Sequence, residues 1–197
     1  MSRRPRILLS AGEASGDRLG AGLARALLQR RPDLELIGMG GAQMKEAGVE
    51  IVQDASEVAV VGITEVLRHL PAIRAAMGRL ESRVAEGVDL VVPIDFPDFN
   101  LRLAARSHAA GKRVVYFVSP QVWAWRKGRV KQIRKIVRRM LVLFPFECEI
   151  YREAGVPVKR IAKTSGPAEL VVADLHRVCG RETAEPARAQ CAAVVVG

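Results

Sequence analysis

Short apolar runs, often β-branched, recur along this chain, and stretches long enough for a helix separate them. The runs are Arg6–Ser10 (RILLS), Leu34–Met39 (LELIGM), Asp89–Ile94 (DLVVPI), Arg113–Ser119 (RVVYFVS) and Met140–Phe144 (MLVLF). Nearly continuous apolar runs of this length suit strands covered on both faces, because polar alternation disappears when water reaches neither side. Between them the pattern predicts helices over Asp17–Arg30, Ile63–Glu86, Asn100–Ala110 and Lys127–Arg138. Strand–helix alternation dictates an α/β fold, a Rossmann-like parallel sheet with helices on both faces. Such sheets bind ligands beyond the carboxyl ends of their strands, so the loops that follow the strands are where chemistry is sought. The rhythm holds over residues 1–160. It weakens over residues 161–197, where Leu170–Leu175 and Ala192–Val196 are short candidate elements.

Composition narrows the class further. With 197 residues, 49% of them hydrophobic, the chain can bury a full core, which argues against disorder. Its formal net charge of +10 favours an anionic partner. Cys148, Cys179 and Cys191 form no CxxC pair, so a reduced, cytosolic protein is expected rather than a disulfide scaffold or zinc ribbon. The apolar run in MSRRPRILLS is too short for a signal peptide, and no stretch reaches the ~20 apolar residues of a spanning helix. A soluble or peripheral protein is expected.

Four loops carry candidate chemistry. The first, Ser10–Asp17 (SAGEASGD), joins a strand to a helix. Its glycines Gly12 and Gly16 permit close backbone approach to a ligand, and Ser15 or Asp17 can cap the helix. Glu13 and Asp17 put carboxylates where a phosphate would sit, which suits a sugar hydroxyl or a cap better. The second, Gly38–Gln43 (GMGGAQ), begins like a dinucleotide fingerprint, but Gln43 breaks it and a short element follows. A tight turn is the simpler reading, and this disfavours a nicotinamide-dependent oxidoreductase. The third, Pro93–Asn100 (PIDFPDFN), sets Asp95, Asp98 and Asn100 at the end of a strongly buried strand. Asp95 there can serve as a general base on a hydroxyl or be satisfied by backbone, while Asp98 reads as the cap of the next helix. The fourth, Ser119–Arg126 (SPQVWAWR), holds both tryptophans, Trp123 and Trp125, between Ser119 and Arg126. Aromatic faces with polar neighbours suit a sugar ring or an acyl boundary, and equally a packed loop.

Two surfaces complete the reading. Arg126, Lys127, Arg129, Lys131, Arg134, Lys135, Arg138 and Arg139 make a basic helix whose apolar stripe is Val130, Ile133 and Val137. Nucleic acid, an anionic bilayer or a phosphorylated ligand would each satisfy it, though no nucleic-acid-binding motif accompanies the charge. Val58–Leu80 holds more apolar residues than one buried stripe needs, so some can dock on a membrane or a greasy substrate. His69, His108 and His176 lack metal-ligand spacing, and no metal or cofactor is expected.

Taken in order, Ala11–Leu23 (AGEASGDRLGAGL), Gly38–Met44 (GMGGAQM), Val58–Leu67 (VAVVGITEVL), Ile94–Leu101 (IDFPDFNL), Val118–Arg126 (VSPQVWAWR) and Leu143–Glu147 (LFPFE) give the chain a family likeness. It resembles the lipid-A-disaccharide synthases, bacterial glycosyltransferases of the GT-B fold. Phe96 departs from the small residue usual in that family. The resemblance implies transfer of a diacylglucosamine from its UDP carrier to the 6-hydroxyl of diacylglucosamine 1-phosphate, giving the β-1,6-linked disaccharide 1-phosphate and UDP. It implies Asp95 as general base, with substrates held by the loops that contain Gly12, Glu13, Ser15, Gly16, Asp17, Asp98, Asn100, Ser119, Trp123, Trp125 and Arg126. It turns Val60, Val61, Ile63, Val66, Leu67 and Leu70, with the basic helix, into a surface for the anionic inner membrane, so the protein is expected to be cytoplasmic and peripheral. Nucleic acid is not an expected partner, and no metal is implied. On this likeness residues 1–160 are the acceptor-side domain, residues 161–197 a divergent tail, and the donor-nucleotide domain is missing, as in a truncated synthase. The alternative is a non-catalytic acceptor-binding or membrane-docking domain.

Overall fold

The computed structural model describes residues 3–58, 63–120, 128–161 and 169–174, with the side chains of 63–69 and 128 outside the description. Seven strands form one parallel sheet: β1 Arg6–Ala11, β2 Glu35–Gly40, β3 Glu50–Asp54, β4 Leu90–Ile94, β5 Arg113–Phe117, β6 Arg139–Val142 and β7 Val158–Arg160. Their order across the sheet is β3-β2-β1-β4-β5-β6-β7. The helices are α1 Ala14–Arg30, α2 Ala42–Glu46, α3 Ile63–Ala85, α4 Pro97–Ala109, α5 Gly128–Ile136 and α6 Pro145–Glu153. The fold is the expected Rossmann-like α/β sandwich.

Alternation along the strands divides the core in two. Leu8, Met39, Val91, Val114, Tyr116 and Met140 pack with Met77, Leu80, Leu103, Ile133 and Tyr151 from α3 to α6. Ile7, Leu9, Ile94, Val115, Phe117 and Leu141 pack with Leu23 and Leu27 of α1, Met44 of α2 and Val171 of the helical segment 169–174. Each fully buried aliphatic side chain contributes about 1.5–3 kcal/mol of transfer free energy, so the two layers together fix the sheet between them.

The strands absent from the sequence reading are β3 and β7, which lie at the two edges. Edge strands are short and carry charge, which erases the apolar run by which buried strands are recognised. β3 begins and ends on exposed Glu50 and Asp54, and β7 is the three residues Val158-Lys159-Arg160. The basic helix is shorter than its sequence pattern. It stops at Ile136, and Arg139 instead opens β6, paired with buried Asp174 at 2.7 Å. The stripe of Val130, Ile133 and Val137 is buried as the spacing predicts, while Lys131, Arg134, Lys135 and Arg138 are exposed. Among the described residues, no helix is long and apolar enough to cross a membrane.

Candidate active site

The sheet reverses its winding at β1. From there the chain moves outward through β2 to β3, then returns to place β4 on the other side of β1. The switch point between the carboxyl ends of β1 and β4 is the crevice at which parallel sheets of this kind receive ligands. The residues that follow these strands there are Gly12 and Glu13 after β1, and Asp95 and Phe96 after β4.

Asp95 is held on every side by its own main chain. Its N–H donates to the Phe117 carbonyl at 3.0 Å. Its carbonyl accepts from Asn100 Nδ2 and from the Tyr116 hydroxyl, each at 2.8 Å. These contacts fix the main chain of Asp95; Asp95 and Phe96 stand at φ +48° and +49°, a left-handed pair without a glycine. Such conformations cost about 1–3 kcal/mol each and persist only where surrounding contacts over-determine them. The Asp95 side chain is half-buried. Burial raises its carboxyl pKa above the ordinary aspartate value, and a main-chain hydrogen bond from Phe96 offsets part of that rise. Tyr116 is fully buried, and burial holds its hydroxyl pKa well above 10, which keeps it a donor.

Asn100 is a tie rod across the crevice. It is fully buried; Nδ2 faces the carbonyls of Ser10, Ile94 and Asp95 at 2.9, 3.2 and 2.8 Å, and Oδ1 accepts from the Ser10 hydroxyl at 2.7 Å. Its amide therefore locks the ends of β1 and β4 together. The sequence expectation of Asp98 as helix cap is corrected. The cap position of α4 is Phe96, without a side-chain cap, while exposed Asp98 sits in the first turn and pairs with Arg129 of α5. Pro97 opens the helix with no N–H to satisfy, so less capping is needed there.

Asp17 also has a different partner from the one its position suggests. Helix α1 begins at Ala14 with Glu13 at the cap position and no side-chain cap, which leaves Asp17 inside the helix. Its carboxylate accepts from the amides of Gly41 at 2.7 Å, Gln43 at 3.1 Å and Met44 at 3.1 Å. These are the first free amides of α2, the feature that would hold a phosphate in a dinucleotide site. Here an internal carboxylate fills it. Gly16 is buried beneath Asp17's turn, whereas Glu13 and Ser15 are exposed at the crevice mouth.

Ser119 lies beyond β5, buried, donating to the Pro120 carbonyl at 2.9 Å and meeting the Tyr151 hydroxyl at 2.8 Å. Burial pushes the Tyr151 hydroxyl up to about 12. Trp123, Trp125 and Arg126 lie outside the described residues, as do Val60 and Val61. Ile63, Val66 and Leu67 fall on α3 with their side chains outside the description, and Leu70 is half-buried. Gly12, Asp95, Phe96 and Asn100 are thus gathered at one crevice. Asp17 and Ser119 brace the neighbouring loops. The sequence reading passed over Tyr116 and Ser10; each is a hydroxyl in an otherwise apolar strand, and that mismatch was the available signal. Among the described residues, no group of His, Cys, Asp or Glu is placed to hold a metal ion. What remains is a half-buried carboxylate of raised pKa at the end of a strand, an arrangement able to take a proton from a hydroxyl.

Comparison with known proteins bears on what that hydroxyl belongs to. A family model described as lipid-A-disaccharide synthetase matches residues 7–164. The chain is 51% identical over 162 residues to a lipid-A-disaccharide synthase of Myxococcus xanthus, covering 82% of this chain and 42% of that one. The synthase of Geobacter sulfurreducens is 54% identical over 154 residues, 78% of this chain and 40% of its own. That of Trichlorobacter lovleyi is 46% identical over 178 residues, 90% and 46% respectively. The chain therefore spans less than half the length of these curated relatives. Among solved structures, Anabaena Alr3699/HepE, crystallised with UDP and glucose, superposes with a TM-score of 0.50 at 12% identity. That match covers 88% of this chain and 50% of the other, a likeness of fold.

Proposed function

The chain belongs to the lipid-A-disaccharide synthetase family, and on that premise we propose that its β1–β4 crevice is the acceptor side of a glycosyl transfer. The acceptor is a diacylglucosamine 1-phosphate, and the donor is the UDP ester of a second diacylglucosamine. Asp95 takes the proton from the acceptor 6-hydroxyl as that oxygen attacks the anomeric carbon. The bond to UDP breaks, and UDP leaves with the electron pair. The observation that carries this reading is Asp95 itself: half-buried at a strand end, with its pKa raised by burial. A raised pKa makes the ionised carboxylate a stronger base, which suits proton abstraction nearer neutral pH.

The other assignments follow the same reading. Glu13 and Ser15, exposed at the crevice mouth, face the sugar, with Gly12 and Gly16 allowing close approach. Asp98 at the carboxyl end of β4 is assigned to the same substrate, as are Ser119 beyond β5 and, from the sequence, Trp123, Trp125 and Arg126. Asn100 and Asp17 act by holding the loops in place. Residues 1–160 form the acceptor-side domain, and the donor nucleotide belongs to the part of the relatives that has no counterpart in this chain. The exposed Lys131, Arg134, Lys135 and Arg138, together with Val60, Val61, Ile63, Val66, Leu67 and Leu70, form the contact with an anionic membrane surface.

The test is disaccharide formation from the UDP-linked donor and the acylated acceptor. In a full-length enzyme that carries this segment, Asp95→Asn is expected to lower kcat by about 10²–10⁴-fold while leaving the acceptor KM nearly unchanged. Small, equal effects on both would reduce Asp95 to a structural residue. Acceptor binding by this chain with no transfer even when a donor-binding half is supplied would favour the binding-module reading instead.

A further inference from the structure

Phe96 closes the crevice from one side by lying on Gly12. A Cβ placed on Gly12 would stand 2.1 Å from Phe96 Cδ1 and 2.4 Å from Cγ, far inside van der Waals contact. The ring therefore rests on the Gly12 backbone itself. On its other side it meets Phe99 of α4, with ring centroids 5.9 Å apart and planes tilted by 32°. Phe96 is thus wedged between the loop after β1 and the first turn of α4, against the core beneath α3 to α6.

Its backbone makes this choice of residue informative. At φ +49° a phenylalanine is strained, whereas glycine would adopt the same conformation freely. A residue needed only to turn the chain would be glycine or asparagine. What phenylalanine adds is the ring and its anchorage. Asp95 shares the left-handed turn, and its carbonyl is fixed by Asn100 and Tyr116. Its side chain leaves from that turn, so the direction it takes follows the turn's backbone.

We propose that Phe96 is a positioning residue for Asp95: its ring, seated on Gly12, fixes the left-handed turn that orients the Asp95 carboxylate. The catalytic consequence rests on the reading of Asp95 as the base; the positioning itself does not. Among the described residues, the other charged or titratable groups on the elements around the turn are Glu13 after β1, the Asp98–Arg129 pair from α4 and α5, and Tyr116 from β5.

The experiment uses the full 197-residue chain labelled with ¹⁵N. The amide proton of residue 96 is followed as Asp95 titrates, because the shift of a neighbouring amide on ionisation depends on how the carboxylate is oriented toward it. Gly12→Ala forces a methyl into the ring, and Phe96→Gly removes the ring while favouring the turn. Both are expected to lose at least about half of the titration shift, with Phe96→Leu retaining most of it and Asp95→Asn abolishing it. A full wild-type shift in Gly12→Ala and Phe96→Gly would overturn the proposal. If Gly12→Ala fails to fold, Phe96→Gly decides alone, with a thermal melt confirming its fold. In the transfer assay Phe96→Gly should lower kcat about 10- to 100-fold at an acceptor KM within about twofold, the signature of a misplaced catalytic group. Unchanged kcat with a lost titration shift would overturn the role in turnover. Absence of transfer by a full-length enzyme that carries this segment would count against the proposed reaction, and the titration would still decide the positioning.

Discussion

The two ends of this sheet turn the chain with different residues. At the amino ends, connections that need positive φ use glycine: Gly48 before β3, Gly87 before β4, Gly111 before β5 and Gly155 before β7. At the carboxyl ends positive φ falls on Asp95, Phe96 and Val118. Glycine closes a helix without steric cost, so the amino-end turns are relaxed. A β-branched valine and two other side-chain-bearing residues in the left-handed region are outliers that need outside support. The polar contacts divide in the same way. The amino end is tied by ion pairs that water reaches, Arg3–Asp89 at 2.6 Å and Arg6–Glu35 at 2.7 Å, each contributing roughly 0–1 kcal/mol. The carboxyl end buries Ser10, Asp17, Asn100 and Ser119 and satisfies them with main-chain and hydroxyl partners. One end needs only to turn. The other spends stability to hold a particular geometry, which is where a catalytic group gains most from being fixed.

That contrast can be tested by disturbing each end in turn. Asn100→Ala should be the most damaging. It takes a buried donor from the Ser10, Ile94 and Asp95 carbonyls, the last keeping Tyr116, and should cost about 2–4 kcal/mol in urea unfolding. A loss no larger than that of an exposed substitution would mean the two strand ends hold together without it. Asp17→Ala comes next, at about 1–3 kcal/mol, because three amides of α2 lose a charged acceptor. The α2 amides should then exchange with solvent faster than those of α1; uniform exchange would count against the tether. Gly87→Ala, at φ +117°, should cost about 1 kcal/mol or somewhat more through backbone strain alone. It should leave the titration of Asp95 untouched, and a disturbed titration would show that the two ends are coupled.

The sequence was informative where the determinants were local. The buried runs marked the five inner strands, and the spacing of Val130, Ile133 and Val137 identified the face of α5 that meets the sheet. Asp95 could be singled out because a carboxylate just after DLVVPI must lie at a sheet end. The partners were not legible. Asp17 reads as a cap for its own helix, yet it caps α2, whose amides lie 24 to 27 residues further along. Asn100 reads as a ligand-facing amide, yet its partner Ser10 is 90 residues away. Nothing near Phe96 in the chain announces that its ring will rest on Gly12, since that contact exists only once β1 and β4 are side by side.

The claim that the carboxyl end is built around Asp95 as a base is tested most directly by the pH dependence of kcat/KM for disaccharide formation by a full-length enzyme that carries this segment. Because burial raises the pKa of Asp95 in the folded protein, the base is protonated as pH falls through a value above 3.8. The wild type should therefore lose activity on the acid side through a single ionisation above that value. The residual turnover of Asp95→Asn should be flat over the same range. An acid limb of unchanged midpoint in Asp95→Asn would contradict the account and assign the base to another residue.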